Sequence, residues 1–319
     1  MIDEDSFGAA FETHRRELRL HCYRLLGSYA DAEDLVQETF LRAWKGLATF
    51  EGRSSVRAWL YRIATNACLD ALPTRPSRVL PHHLAGATDP SVGLPPRTDL
   101  PWLQPYPDEE LPETAAVDRE TITLAFLAAL QFLPARQRAA LVLRDVHGWP
   151  ASATAEALDL SVPAVNSALQ RARATLRQHL PERRSEWRAT RPGPAEQQLL
   201  NPYLDAVRRA DPAAVAALLA EDVRTTMPPW PMWFEGRDHV RRALASSWDP
   251  DLPGYVGELV SEPRGVNGGI GVATWARAPG DDRFRPFAIG AYRIEDGLIA
   301  EITAFHDPAL FEIFGMRDR

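Results

Sequence analysis

The chain has 319 residues, of which 45% are apolar and 25% are charged, and its formal net charge is −7. This length predicts two or three domains, and the ordinary globular balance excludes a wholly disordered chain, a collagen-like fibre and a coiled-coil rod. No stretch approaches the ~18 uninterrupted apolar residues of a membrane span, and the acidic N-terminus is unlike a signal or transit peptide. We therefore expect a cytoplasmic protein without a membrane partner.

Charge is distributed unevenly along the chain. Residues 121–191 carry 10 basic and 5 acidic side chains, whereas residues 192–319 carry 13 basic and 19 acidic ones. Because salt screens charges beyond about 8–10 Å, a local basic block governs phosphate binding more than the total charge does. DNA binding is therefore to be sought within residues 121–191.

Two amphipathic helices are predicted near the N-terminus. Apolar residues recur at three- and four-residue steps over residues 31–47, with Phe40 and Trp44 in the apolar stripe. A second helix is predicted over about residues 54–72, with Ser54 or Ser55 as its N-cap and Trp59 in its core. The two cysteines of the chain lack metal-ligand partners at usable spacing, which favours small core residues over a redox pair and excludes a zinc module.

A proline-rich, acidic linker is predicted over residues 73–114. Ten prolines there remove backbone donors and fix φ, so neither a helix nor a sheet is expected to persist. Trp102, Leu103 and Tyr106 lie in this segment. They are explained equally well by docking to a partner and by local collapse onto a neighbouring domain.

A helix-turn-helix pattern follows a helical stretch from about residue 114 that pauses at 133–134 and resumes over 135–146. A short helix over 151–158, a turn over 159–161 and a long helix over 162–180 are predicted, with Leu160 and Val162 filling the corner and Ser161 as N-cap. Side chains of the types that hydrogen-bond bases and phosphates point outward from the long helix: Asn166, Ser167, Gln170, Arg171, Arg173 and Arg177.

The character of the chain changes after residue 192. Helices are predicted over 199–209 and 212–219, followed by alternating segments near 255–262, 270–278, 286–294 and 299–305. The sequence Glu295-Asp296-Gly297 is a strong hairpin signal. This part is expected to be an α+β domain.

Three ordered blocks resemble sigma-70 family factors of the extracytoplasmic-function (ECF) type. DAEDLVQETFLRAW at 31–44 and FEGRSSVRAWLYRIATNA at 50–67 are similar to region 2, and LPARQR at 133–138, continuing through RAR at 171–173, is similar to region 4. The resemblance implies a multidomain chain with two all-α sigma domains. A region 2 helical bundle spans residues 1–72, and a region 4 helix-turn-helix spans residues 115–190.

The resemblance also implies partners and site residues. One face of region 2 would dock on the clamp helices of the largest subunit of RNA polymerase core, through Asp31, Asp34, Gln37, Glu38 and Arg42. Melted −10 DNA would be held by Phe50, Arg53, Ser54, Arg62 and Asn66. The six outward side chains of the helix-turn-helix would enter the duplex −35 element, with region 4 also at the polymerase flap region.

Two positions depart from the family pattern. Asp159 stands at the helix-turn-helix corner where Gly is common, and Asp tolerates the left-handed conformation better than most residues. Ala168 replaces a commoner basic residue, which is expected to reduce the number of phosphate contacts.

In the complex that the resemblance implies, the proline-rich linker would thread toward the polymerase active-site cleft.

Residues 193–319 resemble the SnoaL-like, NTF2-like α+β cone, and the whole chain resembles ECF factors that carry this extension, including the SigG-like group. The supporting stretches are YLDAV at 203–207, MPPW at 227–230, WFEGR at 233–237 and FHDPALF at 305–311. The resemblance implies a regulatory domain with an apolar pocket for a small apolar ligand. Its aromatic lining is expected from Trp230, Trp233, Phe234, Trp248, Trp275, Phe287 and Tyr292.

The sequence therefore predicts a sigma factor that does no chemistry, with no cofactor and no metal. Two alternatives stay open: a DNA-localised enzyme whose SnoaL-like pocket turns over a small apolar molecule, and a promoter-binding repressor that never joins polymerase. His306 and Asp307 suggest an acid–base pair. However, Asp307 followed by Pro308 also matches a helix N-cap, and adjacent strand residues point to opposite faces.

Overall fold

A computed structural model describes residues 4–50, 52, 54–113, 119–180 and 193–317. Its contacts divide the chain into two compact units. Unit 1 comprises Met1–Arg78 with Glu110–Trp187, and unit 2 comprises Val79–Glu109 with Arg188–Arg319. Both regions predicted as sigma domains thus lie in unit 1, and most of the predicted linker lies in unit 2. The domain boundaries at residues 72, 114 and 190 remain predictions.

Unit 1 begins with three mutually packed helices: α1 (Glu4–Leu26), α2 (Tyr29–Gly46) and α3 (Val56–Ala71). The Ser28 hydroxyl accepts a hydrogen bond from the Asp31 amide and starts α2. The Ser55 hydroxyl does the same for α3 by accepting from the Ala58 amide, as predicted for this pair of serines. Trp59 is buried between the rings of Phe7 and Phe50. Its expected place in the core is confirmed.

The second half of unit 1 contains α4 (Leu124–Gln131), α5 (Ala135–Leu141), a π-helical turn (Val142–Val146), α6 (Ala151–Leu158) and α7 (Val162–His179). The helical stretch predicted from about residue 114 is not one continuous helix in its described part. A 3-10 helix occupies Arg119–Ile122, and α4 begins only after Thr123, whose hydroxyl accepts from the Phe126 amide. Residues 114–118 lie outside the described ranges.

The helix-turn-helix corner is close to its prediction. Asp159 adopts the left-handed conformation, with φ 50° and ψ 53°, and Ser161 caps α7 by accepting from the Ala164 amide. Val162 is 39% exposed, so its predicted role in filling the corner is wrong. At the first position of α7, its side chain points away from the inner stripe that Val165 begins.

Buried arginine and histidine side chains join the two halves of unit 1. Arg138 of α5 is almost fully buried and donates to the carbonyl of Leu25, at the end of α1, and to carbonyl oxygens of Gln131 and Leu133. Arg24 donates to the Thr121 hydroxyl at 2.7 Å. Each carbonyl satisfies part of a buried guanidinium that would otherwise be strongly unfavourable there.

A histidine pair lies at the same junction. The Thr65 hydroxyl donates to the Tyr61 carbonyl, so its oxygen accepts from His21 Nε2 at 2.9 Å. The other nitrogen of His21, Nδ1, then accepts from His147 Nε2 at 3.0 Å. Burial lowers the pKa of His21 to about 3 and holds the pKa of His147 well below its ordinary value. Both rings are therefore neutral, which this chain of hydrogen bonds requires.

Unit 2 is a mixed six-stranded sheet with helices. Two helices, α8 (Pro194–Arg208) and α9 (Pro212–Ala216), precede the sheet, and two more are α10 (Arg237–Ser247) and α11 (Ala309–Ile313). The strands are β1 (Leu219–Thr226), β2 (Trp233–Glu235), β3 (Glu258–Val266), β4 (Gly269–Arg277), β5 (Arg285–Glu295) and β6 (Leu298–Phe305).

The sheet order is β2-β1-β6-β5-β4-β3, with β1 and β6 parallel and the other pairs antiparallel. The predicted hairpin at 295–297 is confirmed, because Asp296 and Gly297 both have positive φ. Strands β1 and β2 and helix α10 were not predicted from the sequence. Polar residues interrupt the alternation of β1, and β2 has only three residues.

The two faces of this sheet carry different chemistry. One face packs an apolar cluster against α8, α9 and α10, including Tyr203, Val223, Trp248 and Ile302. Paired residues of a sheet lie on the same face and alternate along each strand. The opposite face therefore carries Arg224, Arg293 and Glu301, as well as the hydrogen-bonded Thr226 and Thr303.

Residues 79–109, here called the strap, belong to unit 2. Leu80, Leu103 and Tyr106 are buried. Tyr106 and Asn267 are linked twice: the Asn267 amide donates to the Tyr106 carbonyl, and the Tyr106 amide donates to Asn267 Oδ1 at 3.0 Å. The Gly268 amide donates to Asp108 Oδ1 at 2.6 Å. Of the two explanations left open by the sequence, the structure shows collapse onto the neighbouring domain.

Within the described ranges no helix is both long and apolar enough to cross a membrane. Cys22 and Cys68 are buried free thiols, and burial together with the adjacent Cys22 raises the pKa of Cys68 well above its ordinary value. Their predicted place in the core is confirmed.

The histidine pair predicts a pH-dependent stability. The unfolded chain binds protons at these imidazoles below about pH 6.5, whereas the folded pair stays neutral until a pH near 3. The stabilisation is therefore present above about pH 6.5 and is lost as the pH falls. We expect His147→Gln to flatten the dependence of unfolding free energy on pH by about 1 kcal/mol per pH unit between about pH 6 and about pH 5.

The measurement is urea unfolding followed by circular dichroism at several pH values. His179→Gln is the matched control, since His179 is exposed at the end of α7, where its Nδ1 donates to the Thr175 carbonyl and its ring stacks on Phe132. Equal slopes for the two variants would contradict the prediction.

Candidate nucleic-acid interface

The predicted −35 side chains form one exposed row on α7. Val165, Ala168, Leu169 and Ala172 turn inward and are buried. The residues between them are exposed, namely Asn166, Ser167, Gln170, Arg171, Arg173 and Arg177. The helix therefore presents amide, hydroxyl and guanidinium groups together, which suits base edges and phosphates in a major groove.

Ala168 corrects one sequence expectation. It is only 5% exposed and packs on the inner side of α7. A basic residue at this position would be buried and could not reach a phosphate, so Ala168 does not reduce the number of phosphate contacts. The inner stripe needs a small side chain there because α5 packs against α7.

Arg173 is held within the protein. Its guanidinium makes two hydrogen bonds to the carboxylate of Asp145, Nε to Oδ2 at 2.8 Å and Nη2 to Oδ1 at 2.6 Å. Asp145 lies on the π-helical turn, so this bidentate pair ties the middle of α7 to the segment that precedes α6. DNA phosphate would have to compete with Asp145 for this guanidinium.

The residues predicted for the −10 element lie at the start and along the length of α3. Ser54 and Asn66 are exposed, and Phe50 is half-buried with its ring 4.8 Å from that of Trp59. Arg62 is half-buried, and its Nη1 donates to Glu156 Oε1 at 2.9 Å. Arg53 lies outside the described residues.

Of the residues predicted to dock on polymerase, some are exposed and others are paired with neighbouring side chains. Asp34 and Gln37 of α2 are exposed. Glu38 accepts from Arg42, which also donates to Asp70 at 2.7 Å. Asp31 is half-buried and pairs with both Arg75, at 2.5 Å, and Arg78. Asp31 thus secures the chain that follows α3.

Two apolar residues of α2 were not predicted as functional. Leu41 is 50% exposed and Trp44 is 40% exposed, although Trp44 was placed in the apolar stripe. One side of the Trp44 ring packs against Phe7 and Phe40, whose ring centroids lie 5.9 and 6.1 Å from that of Trp44. The signal available in the sequence was Leu41, which falls outside the three- and four-residue spacing of the buried positions.

The aromatic residues predicted for the pocket of unit 2 separate onto two faces. Phe234, Trp248, Phe287 and Tyr292 belong to the apolar cluster under the helices. Trp275 lies on the opposite face, 5.2 Å from the ring of Phe311, and its indole donates to the Arg317 carbonyl. The alternation of strand side chains puts Trp233 on that face too, where its indole donates to Ala85 of the strap at 2.8 Å. Their predicted place in one pocket lining is wrong.

A tyrosine pair lies within the apolar cluster. Tyr292 donates through its hydroxyl to the Tyr203 hydroxyl at 3.1 Å. Burial raises the pKa of both phenols, so both remain neutral donors or acceptors. They place a hydrogen bond between two phenols within the apolar cluster.

His306 and Asp307 occupy different environments. The His306 ring packs edge-to-face against Phe287 and Trp230, at 4.7 and 5.1 Å, and burial lowers its pKa to about 4. Asp307 is exposed, and its carboxylate accepts from the Ala309 amide at 3.0 Å at the start of α11. Pro308, rather than the predicted Asp307, is the N-cap residue of α11, and the Asp307 carboxylate bonds the first turn of the helix from the position before it.

Comparison with known proteins follows the same three-part division. Family models match in order: Sigma-70 region 2 at residues 10–75, Sigma-70 region 4 at 123–176 and a SnoaL-like domain at 201–302. The chain is 40% identical over 317 residues to the ECF RNA polymerase sigma factor SigG of Mycobacterium tuberculosis, covering 98% of this chain and 84% of SigG. The chain belongs to the ECF RNA polymerase sigma factor family.

Other relatives support the same architecture for this sigma factor. SigJ of Mycobacterium tuberculosis is 29% identical over 317 residues, 97% of this chain and 94% of SigJ. The crystal structure of SigJ matches with a TM-score of 0.62 and 26% identity, covering 97% of this chain and 99% of that chain. The predicted family and fold class, two helical sigma regions followed by an α+β SnoaL-like domain, are confirmed.

The Arg173–Asp145 pair predicts a gain of DNA affinity on release. Asp145→Asn removes the carboxylate charge and frees Arg173 for a phosphate. We expect duplex DNA to bind more tightly, with the slope of log affinity against log salt steeper by about 1. Fluorescence anisotropy across a salt series measures both. Asp205→Asn, which makes the same charge change in unit 2, is the control, and equal slopes for both variants would contradict the prediction.

Proposed function

We propose that the chain is a promoter-specificity subunit that binds RNA polymerase core through α2, melted −10 DNA through α3 and duplex −35 DNA through α7. The observation that carries this proposal is the row of six exposed polar side chains on α7, in a member of a family that directs transcription. Region 4 also contacts the flap region of polymerase. The sigma factor acts in the cytoplasm, where its polymerase is.

The docking surface for core polymerase on α2 combines Asp34 and Gln37 with the exposed apolar pair Leu41 and Trp44. Interfaces depend on a few aromatic and apolar anchors surrounded by polar contacts. The clamp helices of the largest subunit would cover Trp44, while Asp31, held by two arginines, positions the chain after α3. Glu38 and Arg42 form the polar rim.

The SnoaL-like unit is a regulatory module in this proposal. Its sheet and the β3–β4 hairpin hold the strap through Tyr106, Asp108 and Asn267. The strap belongs to the linker that enters the active-site cleft of polymerase in the proposed complex, so unit 2 controls when the linker is available. A small apolar ligand in the cluster around Tyr203 and Tyr292 would act on that equilibrium.

Catalysis is not part of the proposed function. The His306 side chain lies among aromatic rings with a depressed pKa, and the exposed Asp307 carboxylate accepts from the Ala309 amide at the start of α11. An acid–base pair needs both groups directed at one reacting centre. The alternative of a DNA-localised enzyme has no such pair to rest on.

The proposal is tested by reconstitution with core polymerase and mapping of transcript start sites. We expect Trp44→Ala to weaken binding to core about tenfold, corresponding to roughly 1.4 kcal/mol for a buried aromatic anchor. Leu84→Ala, which removes a comparably exposed apolar side chain from unit 2, is the control. Full-strength binding by Trp44→Ala would remove α2 from the interface, and no binding by the parent chain would reject the function.

The regulatory role is tested at Gly265. A Cβ there would lie 2.6 Å from the Cβ of Asp108, so Gly265→Ala forces the strap to move. We expect faster tryptic cleavage after Arg97 and a change in promoter-specific transcription. Gly254→Ala is the control because its Cβ would have no neighbour within 4 Å. Faster cleavage with unchanged transcription would contradict regulation through the strap.

A further inference from the structure

An apolar pair lies at the start of the outward surface of α7. Val162 is the first residue of this helix and is 39% exposed, and Pro163 beside it is exposed as well. The inner stripe of the helix begins only at Val165. Val162 does not contribute to that stripe, so its two methyl groups are available to another molecule, and burying them there would be favourable.

Charge is distributed unevenly along α7. From Val162 to Gln170 no side chain is charged, whereas Arg171, Arg173 and Arg177 follow in the second half of the helix. Cationic side chains bind phosphates, while the N-terminal residues of the second helix of a helix-turn-helix contact base edges. The uncharged first half of α7 therefore has the composition of a surface that contacts bases.

The first turn of α7 offers few backbone groups to a phosphate. A helix N-terminus attracts anions through amide groups that lack a partner within the helix. Here Pro163 has no N–H to donate. The Ala164 amide donates to the Ser161 hydroxyl at 3.3 Å, and the Val165 amide donates to the Ser161 carbonyl at 3.0 Å. Contact with a base is therefore favoured over contact with a phosphate at this end of the helix.

The major groove presents one apolar group that suits such a side chain. Thymine alone carries a methyl group there, and the other edges present hydrogen-bond donors and acceptors that a valine cannot satisfy. Val162 lies one helical turn before the exposed Asn166. Side chains at this spacing are about 5–6 Å apart, which corresponds to one or two base pairs at about 3.4 Å each. Val162 and Asn166 can therefore contact neighbouring bases in the same groove.

We propose that Val162 is a specificity residue of the sigma factor, which contacts the 5-methyl group of a thymine in the −35 element. Pro163 extends the apolar surface on which that methyl group lies. The inference rests on the proposed binding of duplex −35 DNA through α7 and adds a base identity to it.

Replacement of thymine by deoxyuridine tests this contact, because it removes only the methyl group and keeps the base pair. Promoter fragments in which the thymines of the mapped −35 element are replaced one at a time, on both strands, are titrated with reconstituted holoenzyme. We expect one replacement to weaken binding by the parent about fourfold, which corresponds to about 0.8 kcal/mol for one buried methyl-sized group. The same replacement leaves binding by Val162→Ala holoenzyme unchanged.

Leu252→Ala is the control, because it removes a side chain of unit 2 that is 42% exposed and lies outside α7. We expect it to keep the fourfold effect. A −35 element without a sensitive thymine, an effect that persists in Val162→Ala, or an effect lost in both variants overturns the inference alone. A fragment with a scrambled −35 element separates this failure from that of the proposed function, since binding that is unaffected by scrambling rejects −35 recognition altogether.

Discussion

The junction between α1, α3 and the segment after α5 is the constraint on which unit 1 depends. There His21 accepts from His147 while donating to Thr65, and Arg138 donates to the carbonyl that ends α1. Breaking these bonds would leave buried donors and acceptors unpaired at the cost of their desolvation, so the bonds favour the packed junction. Two helical regions that are separate in function are thereby made a single unit in structure.

Unit 2 combines the sheet of the C-terminal half of the chain with the proline-rich strap. Its sheet packs one face on its own helices, and the strap belongs to the same unit, secured by the exchange of hydrogen bonds between Tyr106 and Asn267. Ten prolines lie in residues 73–114, and the regular structure described there consists of short 3-10 helices such as Pro81–His83 and Asp108–Glu110. The strap is ordered by hydrogen bonds of its own, such as that from the Leu103 amide to the Val79 carbonyl, and by the turn of the neighbouring sheet, where the Gly268 amide donates to Asp108.

Under the proposed function, both units engage groups that would otherwise meet DNA or polymerase. In unit 1, a carboxylate of region 4 engages an arginine predicted for the −10 strand. In unit 2, the segment proposed to enter the polymerase is packed within the SnoaL-like unit. Each contact is of modest strength, and a partner that binds the released surface can displace it by mass action. Displacement of this kind is a binding equilibrium and involves no chemical step.

The sequence by itself determined the family, the types of most elements other than β1, β2 and α10, and the outward row of α7. Those features depend on local periodicity, capping residues and turn residues such as Ser161, Asp159 and Gly297, all of which act within a few residues. Only the tertiary structure decided that Ala168 is buried, that Trp233 and Trp275 leave the apolar cluster, and that Arg62, Arg173 and Asp31 are engaged by partners. The partners of Arg62, Arg173 and Asp31 are at least 28 positions away, and the places of Trp233 and Trp275 depend on which face of a sheet is covered, which no local pattern encodes.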